Sequence, residues 1–218
     1  MTNDKSAKPG LLKAVELLLA DAKDIKSETS SLLEKFKLAH PAKELSQIRN
    51  LAVKKIISNY SYYSAFAGGA TALAGVIPGL GTAITIFGGA MADAALSMKY
   101  QIEMTMSIAA VYGHNILLDE EKRICMVVAG LGAINETVKE GGKAIGSKAF
   151  IKMAEQYLKG STLQAVKEIF KKVGITFTQK AVTKGIPFGV GVVIGFSVNR
   201  GLTWYVGTKA RDFFSTDA

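Results

Sequence analysis

Apolar residues recur at helical spacing from the start of the chain. Leu11, Leu12, Val15, Leu18, Leu19, Ala22 and Ile25 fall on one stripe, with lysines and acids opposite, so residues 10–40 read as one or two amphipathic helices. Ser27-Glu28-Thr29-Ser30 predicts a break, and Pro41 begins a new segment after His40. Leu45, Ile48, Leu51, Ala52 and Ile56 carry the helical period through Lys54-Lys55 towards Tyr60-Ser61-Tyr62-Tyr63.

The pattern then changes character. Between Lys55 and Asp93 stand 37 consecutive residues with no Asp, Glu, Lys, Arg or His. At their centre lies Val76-Ile77-Pro78-Gly79-Leu80-Gly81, where Pro-Gly is a turn signal and proline biases Ile77 away from the helical region. The expectation is a helical hairpin, one arm ending near Val76, the other running from Gly81 to about Tyr112 and becoming amphipathic past Asp93 through Met98, Ile102, Met106 and Ala109. Tyr112-Gly113-His114-Asn115 supplies a C-terminal stop, and Asp119-Glu120-Glu121 an acidic helix start favoured by the helix dipole. The next helix carries the apolar strip Ile124 to Ile134. Lysine-dotted amphipathic helices over 139–184 break near Gly141-Gly142 and Gly160. A last apolar segment, Gly185 to Phe196, continues to Trp204-Tyr205 and Lys209–Phe214. Its Val, Ile and Thr would suit a strand, but glycines at every second to fourth position favour helix. The fold class is therefore all-α: a multi-helix bundle around a Gly/Ala-rich apolar hairpin.

The hairpin's composition restricts its use. Arms of roughly 18–20 residues at about 1.5 Å each approach the hydrocarbon thickness of a bilayer. Residues 64–92, however, hold eight alanines, seven glycines and three threonines against nine large apolar side chains, a mixture that gains little from lipid. Gly68, Gly69, Ala72 and Gly75 on one arm, and Gly81, Thr85, Gly88 and Gly89 on the other, would let two backbones approach closely around Pro78, Gly79 and Leu80. Membrane insertion, a packed core inside a bundle, and a switch between them all fit. Asp93, with Ser97, Tyr100, Met104 and Ser107, marks a mostly polar seam whose acid reads as a water-interface marker or a lysine partner, with a functional carboxylate as the alternative.

Charge adds direction. The net +9 divides into +4 over residues 1–55, −2 over 56–135 and +7 over 136–218. From Lys139 to Lys184 ten lysines face three acids, with Lys139/Lys143, Lys148/Lys152 and Lys167/Lys171 at i, i+4. Like charges so placed disfavour a helix slightly unless something anionic lies opposite. A basic terminal third beside a nearly neutral apolar middle suits anionic lipid. The basic charge is almost all lysine, and no helix-turn-helix, zinc pattern or aromatic–basic platform accompanies it, which argues against nucleic acid.

Candidate chemistry is sparse. His40 and His114 lack a metal-like partner at i+3 or i+4, no G-x-S-x-G elbow occurs, and the glycine pairs lack a following Lys-Ser/Thr. Gly189-Val190-Gly191 with Gly195 misses the dinucleotide spacing. No cofactor or enzyme activity is expected. The lone Cys125, in an apolar run, reads as an inert buried thiol in a reducing compartment, and the N-terminus lacks signal-peptide order, so a cytoplasmic, membrane-associated protein is expected.

Two blocks resemble the bacterial EcsC family. The first joins Gly68-Gly69, Pro78-Gly79-Leu80-Gly81, Asp93 and Ile108-Ala109-Ala110-Val111-Tyr112-Gly113. The second joins Ile186-Pro187-Phe188-Gly189-Val190-Gly191, Gly195, Asn199, Tyr205-Val206-Gly207 and Ala210-Arg211-Asp212-Phe213-Phe214. The resemblance spans roughly residues 45–214, leaving 1–44 as an N-terminal amphipathic extension. It implies a helical domain with membrane association and no catalytic residues to carry over. Alanine and methionine flank Asp93 where many members have a proline-containing segment, so no role passes to Asp93. The functional expectation is a non-enzymatic protein that docks on anionic membrane or lipid and inserts or caps its hairpin. Its work would be membrane organisation, lipid handling or service to a membrane-protein partner. A pore-forming or membrane-perturbing effector and a soluble interaction module are the alternatives, with an unrecognised hydrolase behind them.

Overall fold

The computed structural model describes residues 10–67, 73–139 and 196–216. Among these there are seven helices and no strand: α1 (Gly10–Leu18), α2 (Ala22–Ala39), α3 (Leu45–Ala65), α4 (Leu80–Phe87), α5 (Gly89–Val111), α6 (Asp119–Lys139) and α7 (Phe196–Phe214). The chain is all-α, as its periodicity predicts.

The N-terminal stripe forms two helices, but the break falls earlier than expected. It lies at Leu19–Asp21, where the Asp21 carboxylate accepts the Lys23 N–H at 2.8 Å and caps α2. Helix α2 runs uninterrupted through Ser27–Ser30. There the buried Thr29 hydroxyl donates to the Ile25 carbonyl at 2.7 Å, so the helix itself satisfies the group that suggested a break. Gly113 (φ +98°) ends α5 in the left-handed conformation, and Asp119, Glu120 and Glu121 open α6, as their sequence predicts.

Helix α5 is the axis of the bundle and touches all six other described helices. Every residue from Gln101 to Ala109 is buried, so this stretch is surrounded on all sides and is not the amphipathic helix its apolar positions predict. Helix α7 packs on α3, α5 and α6, closing the bundle on one side, while α1 lies across α4 and α5 on the other. Ala14, Val15 and Leu18 of α1 share one apolar core with Leu80, Ala83, Ala92, Leu96, Ile102, Ile108, Val127, Val206 and Phe214. Cys125 is buried in the same core, and burial pushes its thiol well above the ordinary range.

Candidate functional site

The apolar segment is built differently from a simple two-armed hairpin. Its second arm is split: α4 ends at Phe87, and Gly88 (φ +82°, ψ +159°) joins it to α5 in a conformation open essentially to glycine alone. The Val76–Gly79 turn is not a free tip. A Cβ on Gly79 (φ +78°) would lie 2.9 Å from the Leu17 carbonyl oxygen, so the turn rests on the end of α1. Three residues after Leu17, the Ala20 N–H donates to Glu103, fourteen residues into α5 and about 21 Å from its start. The turn therefore sits on the flank of the bundle.

Leu80, beside the turn, is 0% exposed and belongs to the core. At Gly75, Gly81, Gly88 and Gly89 the expected close packing is not found. A Cβ on Gly75, Gly88 or Gly89 would meet nothing within 4 Å, and one on Gly81 only the Ala74 carbonyl oxygen at 3.7 Å. The tight helix contact lies instead at Gly207 of α7, where a Cβ would stand 2.7 Å from Ile57 Cγ1 and 2.9 Å from Met104 Sδ. Pro78 is exposed and Asp93 half-buried near the start of α5. Gly68, Gly69, Pro187, Gly189, Gly191, Gly195, Lys143, Lys148, Lys152, Lys167 and Lys171 lie outside the described residues, while Lys139 and Asn199 lie on α6 and α7.

What this segment offers the outside is apolar. Val76 is 77% exposed, Ile86 62% and Phe66 58%, with Met91 partly exposed. At about 1.5 Å per residue, eight-residue α4 is about 12 Å long, against a hydrocarbon thickness of about 30 Å. Among the described residues no helix is long and apolar enough to cross a membrane.

Beneath this flank runs a buried polar seam. Its strongest element is the ion pair of Lys99 Nζ and Glu103 Oε1, 2.6 Å apart and one turn apart on α5, with both side chains almost wholly buried. The same Glu103 oxygen accepts the Ala20 N–H at 2.7 Å, so one carboxylate satisfies a buried ammonium and the open backbone between α1 and α2. Ser64 and Thr203 share a hydrogen bond of 2.6 Å, and Gln101 reaches Thr203 at 3.5 Å, tying α3, α5 and α7 together. Tyr60, Tyr63 and Tyr100 cluster with centroids 5.6–6.4 Å apart, and the Tyr60 hydroxyl bonds to Ser107. Burial, with the Glu103 charge second, raises Tyr100 to about 12 and Tyr60 further still.

Of the expected Asp93–Ser107 seam, Met104 and Ser107 are buried, and Ser97 and Tyr100 half-buried. Sequence reasoning missed the Lys99–Glu103 pair, although its i, i+4 spacing was a visible signal. His114 sits with Nδ1 3.2 Å from Glu121 Oε2 and its ring edge-on to Phe214, a helix-joining position. Among the described residues no group of three or more His, Cys, Asp or Glu side chains is placed to hold a metal ion.

No curated protein and no solved structure matches the chain significantly. A family match, by contrast, covers nearly all of it and takes in α1 and α2 as well as the two blocks that carried the resemblance. Matching over residues 10–216, the chain belongs to the EcsC protein family.

Proposed function

We propose that this protein docks peripherally on anionic membranes, and that it acts by binding and not by catalysis, in membrane organisation, lipid handling or beside a membrane-protein partner. The observation that carries this reading is the exposure of Phe66, Val76, Ile86 and Met91 in the segment that has no charged residue between Lys55 and Asp93. Full burial of such side chains gains about 1.5–3 kcal/mol each, so two or three entering the acyl boundary anchor a protein already held by charge. Insertion is shallow, because α4 is too short to span. The lysine excess between Lys139 and Lys184 adds long-range attraction that salt screens over about 10 Å at 0.1 M.

Flotation with phosphatidylserine-containing and with pure phosphatidylcholine vesicles tests the reading. The parent is expected to float with the anionic vesicles, partly resisting a high-salt wash. The pair Val76→Asp and Ile86→Asp, both at exposed positions, should keep the fold and lose the salt-resistant fraction. Equal flotation of parent and double variant, or equal binding to both lipids at low salt, would overturn it. Release of a trapped dye by the parent would favour a membrane-perturbing effector instead.

A further inference from the structure

The exposed faces of α3 and α7 lie side by side, and their polarity changes in one direction along the shared axis. The helices are antiparallel: Ile57 packs beside Gly207, whereas Ser64 further along α3 meets the earlier Thr203. Near Ile57 and Gly207 the outward residues are the cations Lys54 and Lys55, with Lys209 half-exposed on α7. Further along come rings with polar edges: Trp204 at 48% exposure, then Tyr62 and Tyr63. Phe66, purely apolar, caps the end of α3. From Lys54 to Phe66 the helix rises about 18 Å. Lysines first, then amphipathic rings with Arg200 stacked among them, then an apolar ring, is an order that matches the surface charge, headgroup and hydrocarbon of a bilayer.

The two helices are charged mostly in one sense, and part of the face is held in place by stacking. Helices α3 and α7 carry six basic residues (Arg49, Lys54, Lys55, Arg200, Lys209, Arg211) and one acid, Asp212, which Arg211 engages at 2.6 Å. The Arg200 guanidinium lies 4.2 Å over the Tyr62 ring, a stack that keeps the in-plane N–H donors available to a phosphate. Tyr63 is braced by Tyr60 and Tyr100. These stacks leave Arg200, Tyr62 and Tyr63 less side-chain freedom to lose on docking.

We infer that α3 and α7 add a second contact with an anionic bilayer to that of the exposed α4 segment, end-on, with Phe66, common to both, deepest, Tyr62, Tyr63 and Trp204 at the headgroups and Arg200 on a lipid phosphate. This rests on the membrane reading above and adds to it the contact face, the orientation and the lipid group engaged.

Trp204 is the only tryptophan in the chain, so the protein carries its own probe. On phosphatidylcholine–phosphatidylserine vesicles the Trp204 emission should move to the blue. Lipids brominated near the glycerol should quench it more than lipids brominated at the chain end. Arg200→Gln should weaken binding about fivefold, as expected for losing about 1 kcal/mol of surface attraction, and Arg200→Lys should weaken it less. Circular dichroism melts matching the parent would show that the variants fold. Vesicle binding with unmoved Trp204 emission would overturn this face while leaving the membrane reading intact. Absence of vesicle binding would overturn both. A blue shift with a single-stranded oligonucleotide but not with vesicles would reassign the face to nucleic acid and overturn the inference.

Discussion

Gly207 and Ile57 meet so closely that a methyl group on the glycine would stand 2.7 Å from Ile57 Cγ1. This is where the backbone of α7 is pressed onto α3, with Met104 of α5 closing the notch at 2.9 Å. Gly207→Ala should therefore destabilise the protein by about 1–3 kcal/mol through overpacking. Combined with Ile57→Ala, itself costly, it should lose less than the sum of the two single losses, because the methyl then has room. Urea unfolding of the four proteins of the cycle checks this, and strict additivity would show that the two positions are not coupled.

Two neighbouring glycines should answer alanine in opposite ways. Gly88 has φ +82° and ψ +159°, so Gly88→Ala is strained although the site is open, at a cost of about 1–3 kcal/mol. Gly89 begins α5 with nothing within 4 Å of its would-be Cβ, so Gly89→Ala should stabilise by about 0.4–1 kcal/mol. Denaturant midpoints of the two variants, compared side by side, decide it.

Much of the helical layout was legible, because caps and stops are local chemistry. The α5–α6 junction needed only Gly113 and the acids at 119–121, all within a few residues. The interior was less legible. A helix surrounded on every side shows no single apolar stripe, and Gln101, Glu103, Thr105 and Ser107 look like a solvent-facing set. Their burial depends on partners far off in sequence, Ala20 for Glu103 and Thr203 for Gln101. The glycines are hard to read for a related reason. Composition marks where a side chain is missing, but the cause, left-handed backbone at Gly79 and Gly88 or a close helix at Gly207, lies in the tertiary structure. Of the docking surface, the charge-free run was visible from the start. The Tyr62–Arg200 stack was not, since 138 positions separate the two residues.

Removing Glu103 should be among the most damaging single changes. Glu103→Ala leaves Lys99 buried without its counter-charge and the Ala20 N–H without its acceptor, a loss of about 3–5 kcal/mol. Lys99→Met in the same chain should recover a large share, because the stranded ammonium accounts for much of the penalty. Thermal and urea unfolding of both proteins test it, and a double variant no more stable than Glu103→Ala alone would refute the account.

Alkaline stability should reflect the tyrosine cluster. Tyr100 is raised from 10.0 to about 12 by burial, with Glu103 adding to it, so the folded protein holds this phenolic proton more tightly than the unfolded chain. That contribution is fully present below pH 10 and is lost as pH rises through about 12. Tyr100→Phe should flatten the decline in stability over this window. The phenolate absorbance of the native protein should show Tyr60 and Tyr100 ionising late, within the alkaline unfolding transition.

The hydrogen bond between Ser64 and Thr203 spans 139 positions, and so sets a schedule for assembly. At synthesis rates of about 5–20 residues per second, α3 waits about 7–28 s before the strand of chain that covers it has been made. Throughout that interval Ile57 and Ser64 lack the cover that α7 gives them. A nascent chain in this condition is a natural client for chaperones and a vulnerable one for proteases, and a stall in translation before α7 leaves a sticky, unfinished bundle.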